Sequence, residues 1–325
     1  MGNKDKSTKT LMRRRREFTD AFNVLFRRAG LAVDMDGMEE RDTVLTAPVD
    51  PSELRGEWVE RANDVAYEAV VRSVSGTDCV LLCVENQSEL AYDMPLRNIF
   101  SACLQWIKYH GRLKEKNQQA GKLKGRAEFL SGMCEDDLLP PVIVLVLYLG
   151  LKPWTGPTRL LDIVDVKTPE LRQFMADCPV NVVSLVDLTK EELASMRSLL
   201  RPLAKLLQTH GDKDALRLVV EEDPMFHDAP AILYRVYNEL TNSNLRIPVQ
   251  EEHNNMSKAL DDLKEEGREE GREEGRVEER EKSIHNVISS CRRQGTPVEQ
   301  ILRLVMDSFG LSQDQATTYL MNPDN

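Results

Sequence analysis

Two short, almost wholly apolar runs constrain the fold of this chain more than any other feature of its sequence. Residues 79–85 read CVLLCVE and residues 140–150 read PPVIVLVLYLG. Apolar runs of this length, rich in Val, Leu and Ile and bounded by turn-forming residues, are typical of central strands buried in a sheet. A third run, VNVVSLVDL at 180–188, has the same character. The sequence therefore predicts a sheet whose central strands are buried.

The remaining elements place helices around this sheet. From Arg13 to Arg28 apolar residues recur at helical spacing, and MPLRNIFSACLQWIKYHGRL, which starts at Met94, has the same periodicity. A polar connection leads from the first helix to Asp64, where DVAYEAVV has strand character. The turn residues Gly76-Thr77-Asp78 join that strand to CVLLCVE as a hairpin. This order of elements predicts an α/β fold with a mixed sheet flanked by helices and a helical C-terminal extension.

Charge and cysteine content narrow the class of protein. The formal net charge is −11, but the acidic excess lies largely around 261–281, whereas 1–30 and 108–126 are basic. Because attraction to phosphates depends on where Lys and Arg cluster, the net charge does not exclude DNA as a partner. The six cysteines contain no CxxC pair, which predicts reduced, buried cysteines and no zinc. With no secretory signal and no apolar run long enough to span a bilayer, we expect a cytoplasmic protein without a membrane partner.

Five segments follow from the changes in composition. They are a polar tail at 1–12, an α/β core at 13–190, a helical extension packed on the core at 191–250, a Glu/Arg/Gly-repeat linker helix at 251–282, and a small helical module at 283–325. In the repeat, the Arg row and its Glu neighbours favour a solvated helix, and a helix–helix seam permitted by the glycines is the alternative. We expect packing or homo-oligomerisation from the C-terminal helices.

Two carboxylates of the predicted hairpin are the candidate chemical centre. Asp64 starts one strand and Glu85 ends its partner, so antiparallel pairing would bring both to the same end of the sheet. Two carboxylates and a main-chain carbonyl are enough protein ligands for Mg²⁺, which keeps several waters and can support phosphodiester hydrolysis. The spacing alone favours the simpler interpretation, two solvated carboxylates at strand ends.

Two longer motifs give that pair more weight. DCVLLCVENQSELAYDMPLR and LPPVIVLVLYLGLKPWTGPTRLLDIV resemble the two hallmarks of the Rpn-type recombination-promoting nucleases, a transposase-like family of the PD-(D/E)XK superfamily. The family pattern is E-x-Q-S followed by MPLR, and later a strand of the form P-V-x-x-V-L-Y-x-G followed by a Trp-Gly-Pro stretch. The matching residues are Glu85, Gln87, Ser88, Met94, Pro95, Leu96, Arg97, Tyr148, Gly150, Trp154, Gly156 and Pro157.

The resemblance implies a restriction-endonuclease-like core and assigns roles to residues. Asp64 and Glu85 would bind Mg²⁺, with Mn²⁺ as an alternative, together with the backbone carbonyl of Asn86. Gln87 stands where the superfamily usually has Lys, and its amide can orient water. An acid of the first helix often completes such a site, and Asp20 is favoured over Glu17. Asp78 and Asp93 remain alternative acids, better explained by a turn and a helix start.

DNA is the partner that the resemblance implies. The basic residues expected to contact its backbone are Arg97, Lys108, Arg112 and Lys114. We expect Trp154 to close a structural turn, with base stacking as the alternative. The leading functional hypothesis is a Mg²⁺-dependent DNA endonuclease, acting in recombination or in defence against foreign DNA. The alternative is a catalytically inactive nuclease-fold protein that serves as a DNA-binding or assembly module, and a true transposase ranks below both.

Overall fold

The computed structural model of the chain describes residues 3–41, 43–48, 58–62, 64–245 and 253–321. The chain forms two compact units, Met1–Ser257 and Lys258–Asn325. The helices are α1 Asn3–Met12, α2 Arg15–Phe26, α3 Met94–Gln119, α4 Arg126–Ser131, α5 Lys190–Ser195, α6 Leu200–Gln208, α7 Lys213–Glu222, α8 Ala231–Thr241, α9 Met256–Arg293, α10 Val298–Phe309 and α11 Gln313–Met321. The strands are β1 Ala32–Glu40, β2 Val44–Pro48, β3 Trp58–Ala62, β4 Val65–Arg72, β5 Thr77–Gln87, β6 Val142–Tyr148, β7 Asn181–Ser184, β8 Ala229–Pro230 and β9 His253–Asn254.

The first unit is built on a five-stranded mixed sheet. Its strand order is β1-β4-β5-β6-β7, with antiparallel pairing from β1 to β5 and parallel pairing from β5 to β7. The two apolar runs form β5 and β6, next to each other in the middle of the sheet, and most of their residues are buried. The predicted α/β fold, a mixed sheet flanked by helices with a helical C-terminal region, is confirmed. The predicted hairpin is β4–β5, in register from Val65 opposite Val84 to Arg72 opposite Thr77.

Helices α2 and α3 cover opposite faces of the sheet. On the α2 face, the ring of Phe18 contacts that of Tyr67 in β4 edge to face, with centroids 4.7 Å apart. On the α3 face, Ala66, Cys83 and Val144 are buried beneath Ala102 of the helix. Because side chains of neighbouring residues in a strand point to opposite faces, Ala66 and Tyr67 divide β4 between the two helices.

The N-terminal region differs from the prediction in two places. Residues 1–12 were expected to be a polar tail, yet Asn3–Met12 form α1, whose Leu11 and Met12 are fully buried. The Ser7 hydroxyl donates a 2.7 Å hydrogen bond to Glu239 of α8. A helix with three lysines and so few apolar residues gives a weak amphipathic signal, and tertiary packing stabilises it instead.

The expected polar connection before Asp64 also contains strands. β1 is an edge strand whose pairing with β4 shifts between Asp34 and Glu39, and β2 pairs with β3 as a separate hairpin. A bulge inserts an unpaired residue and disrupts the two-residue alternation on which strand prediction depends. Residues 42, 49–57 and 63 of this segment lie outside the described residues.

The segments after β5 differ in regularity. The charged, glycine-containing segment at 114–137 contains the end of α3 and the short helix α4. The run at 180–188 is strand only to Ser184, because a 3-10 turn at Leu185–Asp187 ends β7. The cysteines are free as predicted, but Cys79 and Cys103 are exposed, and the prediction of buried cysteines holds best for Cys83.

The second unit is a small helical module with its own core. Ile284, Ile288, Ile301 and Val305 are buried together with Ala316 and Leu320. A capping box starts the last helix: Ser312 N–H donates to Gln315 Oε1 at 3.0 Å, and Gln315 N–H donates to Ser312 Oγ at 3.3 Å. Within the repeat, Arg268 pairs with Glu265 and Arg276 with Glu273, both three residues earlier. The finer division at 251–282 and 283–325 stays a prediction, since α9 is one helix from Met256 to Arg293 and 246–252 lie outside the described residues.

Within the described residues, none of the helices combines the length and the apolar composition needed to cross a membrane.

Candidate functional site

Asp64 and Glu85 face each other across the β4–β5 hairpin. Val65 pairs with Val84, and the backbone N–H of Asp64 donates to the Val84 carbonyl at 3.1 Å. Extending the antiparallel register by one residue puts Asp64 opposite Glu85, where β4 begins and β5 ends. This end of the sheet also carries the C-terminal ends of the parallel strands β6 and β7.

Glu85 is held beneath the first turns of α3. Its side chain lies on the α3 face of β5 and the residue is only 3% exposed. The Ser101 hydroxyl donates to Oε1 at 2.9 Å, and Nη2 of Arg97 lies 3.3 Å from Oε2. A buried carboxylate needs both charge compensation and hydrogen bonds, and these two residues, one helical turn apart, supply them.

The MPLR motif explains how α3 reaches Glu85. Met94 is fully buried against Val146 and Val180 and anchors the start of the helix to the sheet. Pro95 stands at the first helical positions, where its missing N–H costs nothing. Leu96 is 58% exposed, whereas the side chain of the next residue, Arg97, reaches the Glu85 carboxylate.

Asp64 lies in a more open environment with different partners. Its Oδ2 accepts hydrogen bonds from the backbone N–H of Asn86 at 2.8 Å and from Asn86 Nδ2 at 3.3 Å. Lys9 of α1 brings its Nζ to 3.7 Å from Oδ1. The oxygen of the Asn86 side-chain amide, Oδ1, is buried and has no hydrogen-bond partner within the described residues.

Gln87, the third residue of the motif, ends β5. It is half-buried, and its backbone carbonyl accepts from the N–H of Leu149 at 2.7 Å. Two residues after Glu85, it lies on the same face of the strand. The alternative acids are placed elsewhere: Asp78 is exposed at the other end of β5, and Asp93 is the residue before α3.

A polar row on α3 continues from Glu85 along the sheet. Arg97, Ser101, Gln105, Lys108 and Arg112 recur at three- and four-residue spacing, so they share one face of the helix. Beyond Gln105 this row borders a cavity of about 270 Å³, whose charged lining residues are Arg41, Glu68, Lys108, Arg112 and Lys116. Because the cavity is lined by four cations and one carboxylate, this end of the row is positively charged.

Glu68 is the one carboxylate in that lining, and it is well compensated. The thiol of Cys79 donates to its Oε1 at 3.0 Å, and Nε of Arg41 donates to its Oε2 at 2.9 Å. The Cys79 thiol, helped by Arg41, lowers the pKa of Glu68. Conversely, burial and then the Glu68 carboxylate raise the pKa of Cys79 to about 11, so this exposed cysteine is a thiol at neutral pH.

Lys114, also predicted to bind DNA, is not part of this row. A Cβ placed on Gly132 would overlap the aliphatic carbons of Lys114, so the lysine packs along the segment after α4. The same side of α3 carries Asn117, whose amide donates to the Gly132 carbonyl at 3.2 Å. The structure therefore brings Arg97, Lys108 and Arg112 together on one face, and Lys114 lies on another.

Asp20, the favoured third acid, has a different place. Its Oδ2 accepts the backbone N–H groups of Arg197 and Ser198, both at 2.7 Å, just before α6. Glu17, one turn earlier on α2, is buried and receives a backbone hydrogen bond from Leu199, while burial raises its pKa. Among the described residues, no group of three or more His, Cys, Asp or Glu could hold a metal ion. In this arrangement Asp20 is bound to the turn before α6, and its participation with Asp64 and Glu85 stays a prediction.

The donor atoms that remain at the sheet end are all oxygens. They are the carboxylates of Asp64 and Glu85 and the oxygens of Asn86, a set that suits Mg²⁺ or Mn²⁺ better than softer metals. Lys9 and Arg97 supply the positive charge beside the two carboxylates in this arrangement. The partnerless Oδ1 of Asn86 is a buried oxygen that a cation or a water would satisfy.

Trp154 and its glycines close a structural turn. The Trp154 ring packs edge to face on Tyr148 with centroids 5.1 Å apart, and its backbone N–H donates to Asp187. A Cβ on Gly150 would overlap the Tyr148 ring, and one on Gly156 would come 2.7 Å from the indole. Only glycine fits at these two positions, so packing explains why the motif has glycine after Tyr148 and after Trp154. This favours a structural role for Trp154.

Sequence reasoning missed three residues beside the carboxylates. Ser101 was detectable, since it follows Arg97 by four residues on a predicted helix. Asn86 was considered only for its main-chain carbonyl, whereas its side-chain amide also donates to Asp64. Lys9 lies in the segment interpreted as a tail, and no signal in the sequence connects it with Asp64.

Comparison with known proteins gives one match. The model of a family described as "Putative transposase, YhgA-like" matches residues 61–226, which is more than half of the chain and includes both carboxylates, the MPLR motif and the Trp154 turn. No curated protein and no solved structure matches the chain.

Proposed function

The chain belongs to the YhgA-like transposase family, of the Rpn type within the PD-(D/E)XK superfamily, and on this premise we propose that it is a Mg²⁺-dependent DNA endonuclease. Family membership suggests a DNA-processing role. The observation that carries the proposal is the pair of carboxylates: Asp64 opposite Glu85 at the end of a buried hairpin, beside a row of basic residues.

Asp64, Glu85 and the Asn86 carbonyl would hold the cation. Bound there, Mg²⁺ would neutralise charge on the phosphoryl group and lower the pKa of a water molecule. Gln87, on the same face as Glu85, would orient the attacking water through its amide. Ser101 keeps Oε1 of Glu85 in position by a 2.9 Å hydrogen bond.

Arg97 has two roles in this proposal. In this arrangement it compensates the charge of Glu85 at 3.3 Å. Its guanidinium is permanently charged and geometrically suited to phosphate. Arg97 would therefore contact the DNA phosphate once a bound cation compensates the charge of Glu85. Lys9 would stand in the same relation to Asp64.

The α3 row supplies the path for the DNA backbone. Lys108, Arg112, Lys116 and Arg41 surround the 270 Å³ cavity with only one carboxylate among them, and that carboxylate is already bound by Arg41 and Cys79. Such clusters attract the phosphate backbone in a salt-dependent and sequence-independent way. Residues 261–281 of α9 carry eleven carboxylates and five cations, so about half of the negative net charge of the chain lies in this segment.

Cleavage of supercoiled plasmid tests the proposal. We expect nicking or linearisation with Mg²⁺ or Mn²⁺ and none with EDTA. Glu85→Gln, which keeps the shape and a hydrogen bond to Ser101, should lower the rate by about a hundredfold or more, as should Asp64→Asn. Glu115→Gln, an exposed carboxylate of α3, is the matched control and should cleave as the wild type does. Metal-dependent cleavage that survives in Glu85→Gln would contradict the assignment.

A catalytically inactive nuclease-fold protein is the second candidate. Two observations favour it: both carboxylates already have basic neighbours, and Gln87 replaces the usual Lys. This candidate predicts folded protein that binds DNA in a salt-dependent way without cutting it under any metal. Loss of that binding in Lys108→Ala/Arg112→Ala would then identify the α3 row as its DNA contact.

A further inference from the structure

A second, larger cavity lies away from the two carboxylates. Its volume is about 930 Å³, and it is bordered by the start of α2, the bulged part of β1, the turn at 197–199 and the segment 228–232. Sites for small molecules and cofactors span roughly 300–1,000 Å³. Neither Asp64 nor Glu85 lines this cavity.

Four arginines give the cavity a cationic side. Arg14, Arg15 and Arg16 come from the N-terminal end of α2, and Arg197 comes from the facing turn; all four are exposed. The arginine run at 13–16 is the most basic stretch of the sequence, and the proposed nuclease site does not use it.

The facing turn is fixed on α2 by two carboxylates. Asp20 accepts the N–H groups of Arg197 and Ser198, and Glu17 accepts a hydrogen bond from Leu199. Three successive backbone groups are thus bound to one helix face. The consequence is that Arg197 borders the same cavity as the arginines of α2.

The rest of the lining has a different chemistry. Met35, Met225 and Ile232 form an apolar wall, and Asp36 and Asp228 add carboxylates. Met35 and Asp36 lie in the interval where β1 slips in register against β4, between Asp34 and Glu39. Bulges at sheet edges commonly redirect side chains beside functional sites.

We propose that this cavity binds a nucleoside di- or triphosphate, with the phosphates on the arginines and the base against the apolar wall. Arginines bind phosphate oxygens in pairs, and carboxylates bind ribose hydroxyls in other nucleotide sites. A continuous phosphate strand needs cations along its whole length, and it fits less well here because the carboxylates of Glu17, Asp36 and Asp228 also line the cavity. The cavity at the α3 row, with four cations and one carboxylate, has the larger positive excess.

Calorimetric titration of the full-length protein with ADP tests this inference, with pyrophosphate, adenosine and a short single-stranded oligonucleotide as comparisons. Saturable binding of ADP that is tighter than that of pyrophosphate or adenosine supports it. Equal binding of pyrophosphate and ADP would reduce the site to an anion site and overturn the proposal. Tighter binding of the oligonucleotide at the same arginines would overturn it in favour of DNA.

Matched variants locate the binding. Arg16→Ala and Arg197→Ala should each weaken ADP binding by about tenfold or more, as expected for loss of a charge-assisted contact. Arg27→Ala, an exposed arginine at the other end of the same helix, should change it little. Asp20→Asn should weaken binding through Arg197, and circular dichroism must show it folded. Unchanged ADP affinity in both arginine variants overturns the proposal.

The inference is independent of the nuclease proposal. Glu85→Gln should bind ADP as the wild type does, and Arg197→Ala should leave the Mg²⁺ dependence of any plasmid cleavage unchanged. Failure of one proposal therefore leaves the other to be judged on its own result.

Discussion

The two faces of the central hairpin are built from different kinds of residue. On the α2 face, β5 contributes Val80, Leu82 and Val84, all buried, against the aromatic rings of the helix and Tyr67. On the α3 face, the same strand contributes Cys79, Leu81, Cys83, Glu85 and Gln87, against the polar row of α3.

The difference separates stability from chemistry within one strand. Apolar burial stabilises a fold at roughly 25 cal/mol per Å², so the α2 face is where the sheet gains most of its stability. Buried charges such as Glu85 give little net stability even when paired. The polar face of the hairpin beneath α3 is therefore the candidate for function, and the apolar face beneath α2 is the source of stability.

The largest expected effect is on the apolar face. Phe18→Ala removes a fully buried ring that contacts both Phe22 and Tyr67, and should lower the free energy of unfolding by about 3–5 kcal/mol. Urea denaturation followed by circular dichroism measures it. Phe129→Ala, on α4 and 62% exposed, is the control and should change little. If Phe18→Ala abolished DNA binding while leaving stability intact, the division between the two faces would be broken.

The next effect concerns the buried ion pair on the polar face. Arg97→Met leaves the Glu85 carboxylate without its guanidinium, and should lower the free energy of unfolding by about 1–3 kcal/mol. The exposed neighbour Leu96 provides the control variant, Leu96→Ala. In the double variant Arg97→Met/Glu85→Gln most of the stability should return, since no buried charge remains. Additive losses in that double variant would show that the two residues do not interact.

A smaller effect depends on pH. The pKa of Glu68 lies below its ordinary value because of the Cys79 thiol and then Arg41. A carboxyl with a lowered pKa in the folded state adds stability above its unfolded pKa, and loses it as the pH falls through the folded pKa. Arg41→Met should therefore cost about 0.5–1 kcal/mol near neutral pH and less at about pH 3. Equal costs at both pH values would contradict this origin of the shift.

The smallest effect is on thiol reactivity. Because burial and the Glu68 carboxylate raise the pKa of Cys79 to about 11, little thiolate is present at neutral pH. Glu68→Gln removes the second of these causes, so alkylation of Cys79 by iodoacetamide should become several-fold faster, as followed by peptide mass spectrometry. Cys103, exposed on α3, reports any general change in accessibility. An unchanged rate at Cys79 would mean that burial alone sets its pKa.

The sequence predicted the centre of the fold better than its edges. The uninterrupted apolar runs of β5 and β6 and the periodicity of α2 and α3 are local signals, and these elements were found where expected. The bulged edge strand β1 and the lysine-rich α1 were not, because their stability comes from tertiary contacts such as Ser7 with Glu239.

The candidate site divides in the same way. The opposition of Asp64 and Glu85 follows from hairpin pairing, which a turn at the right spacing specifies. The position of Asp20 depends on where the turn at 197–199 packs, almost 180 residues later in the chain, and helix periodicity carries no information about that. The contact between Lys9 and Asp64 could not be predicted for the same reason, since it depends on tertiary packing between residues far apart in the sequence.

Binding of Mn²⁺, followed by the electron paramagnetic resonance signal of the free ion, tests the central claim most directly. The claim is that Asp64 and Glu85 share one cation at the end of the hairpin. It predicts a site that Mg²⁺ competes for, lost in both Asp64→Asn and Glu85→Gln, and kept in Glu115→Gln and in Arg97→Met, where a competing cation has been removed. Mn²⁺ binding that persists unchanged in either Asp64→Asn or Glu85→Gln would contradict it.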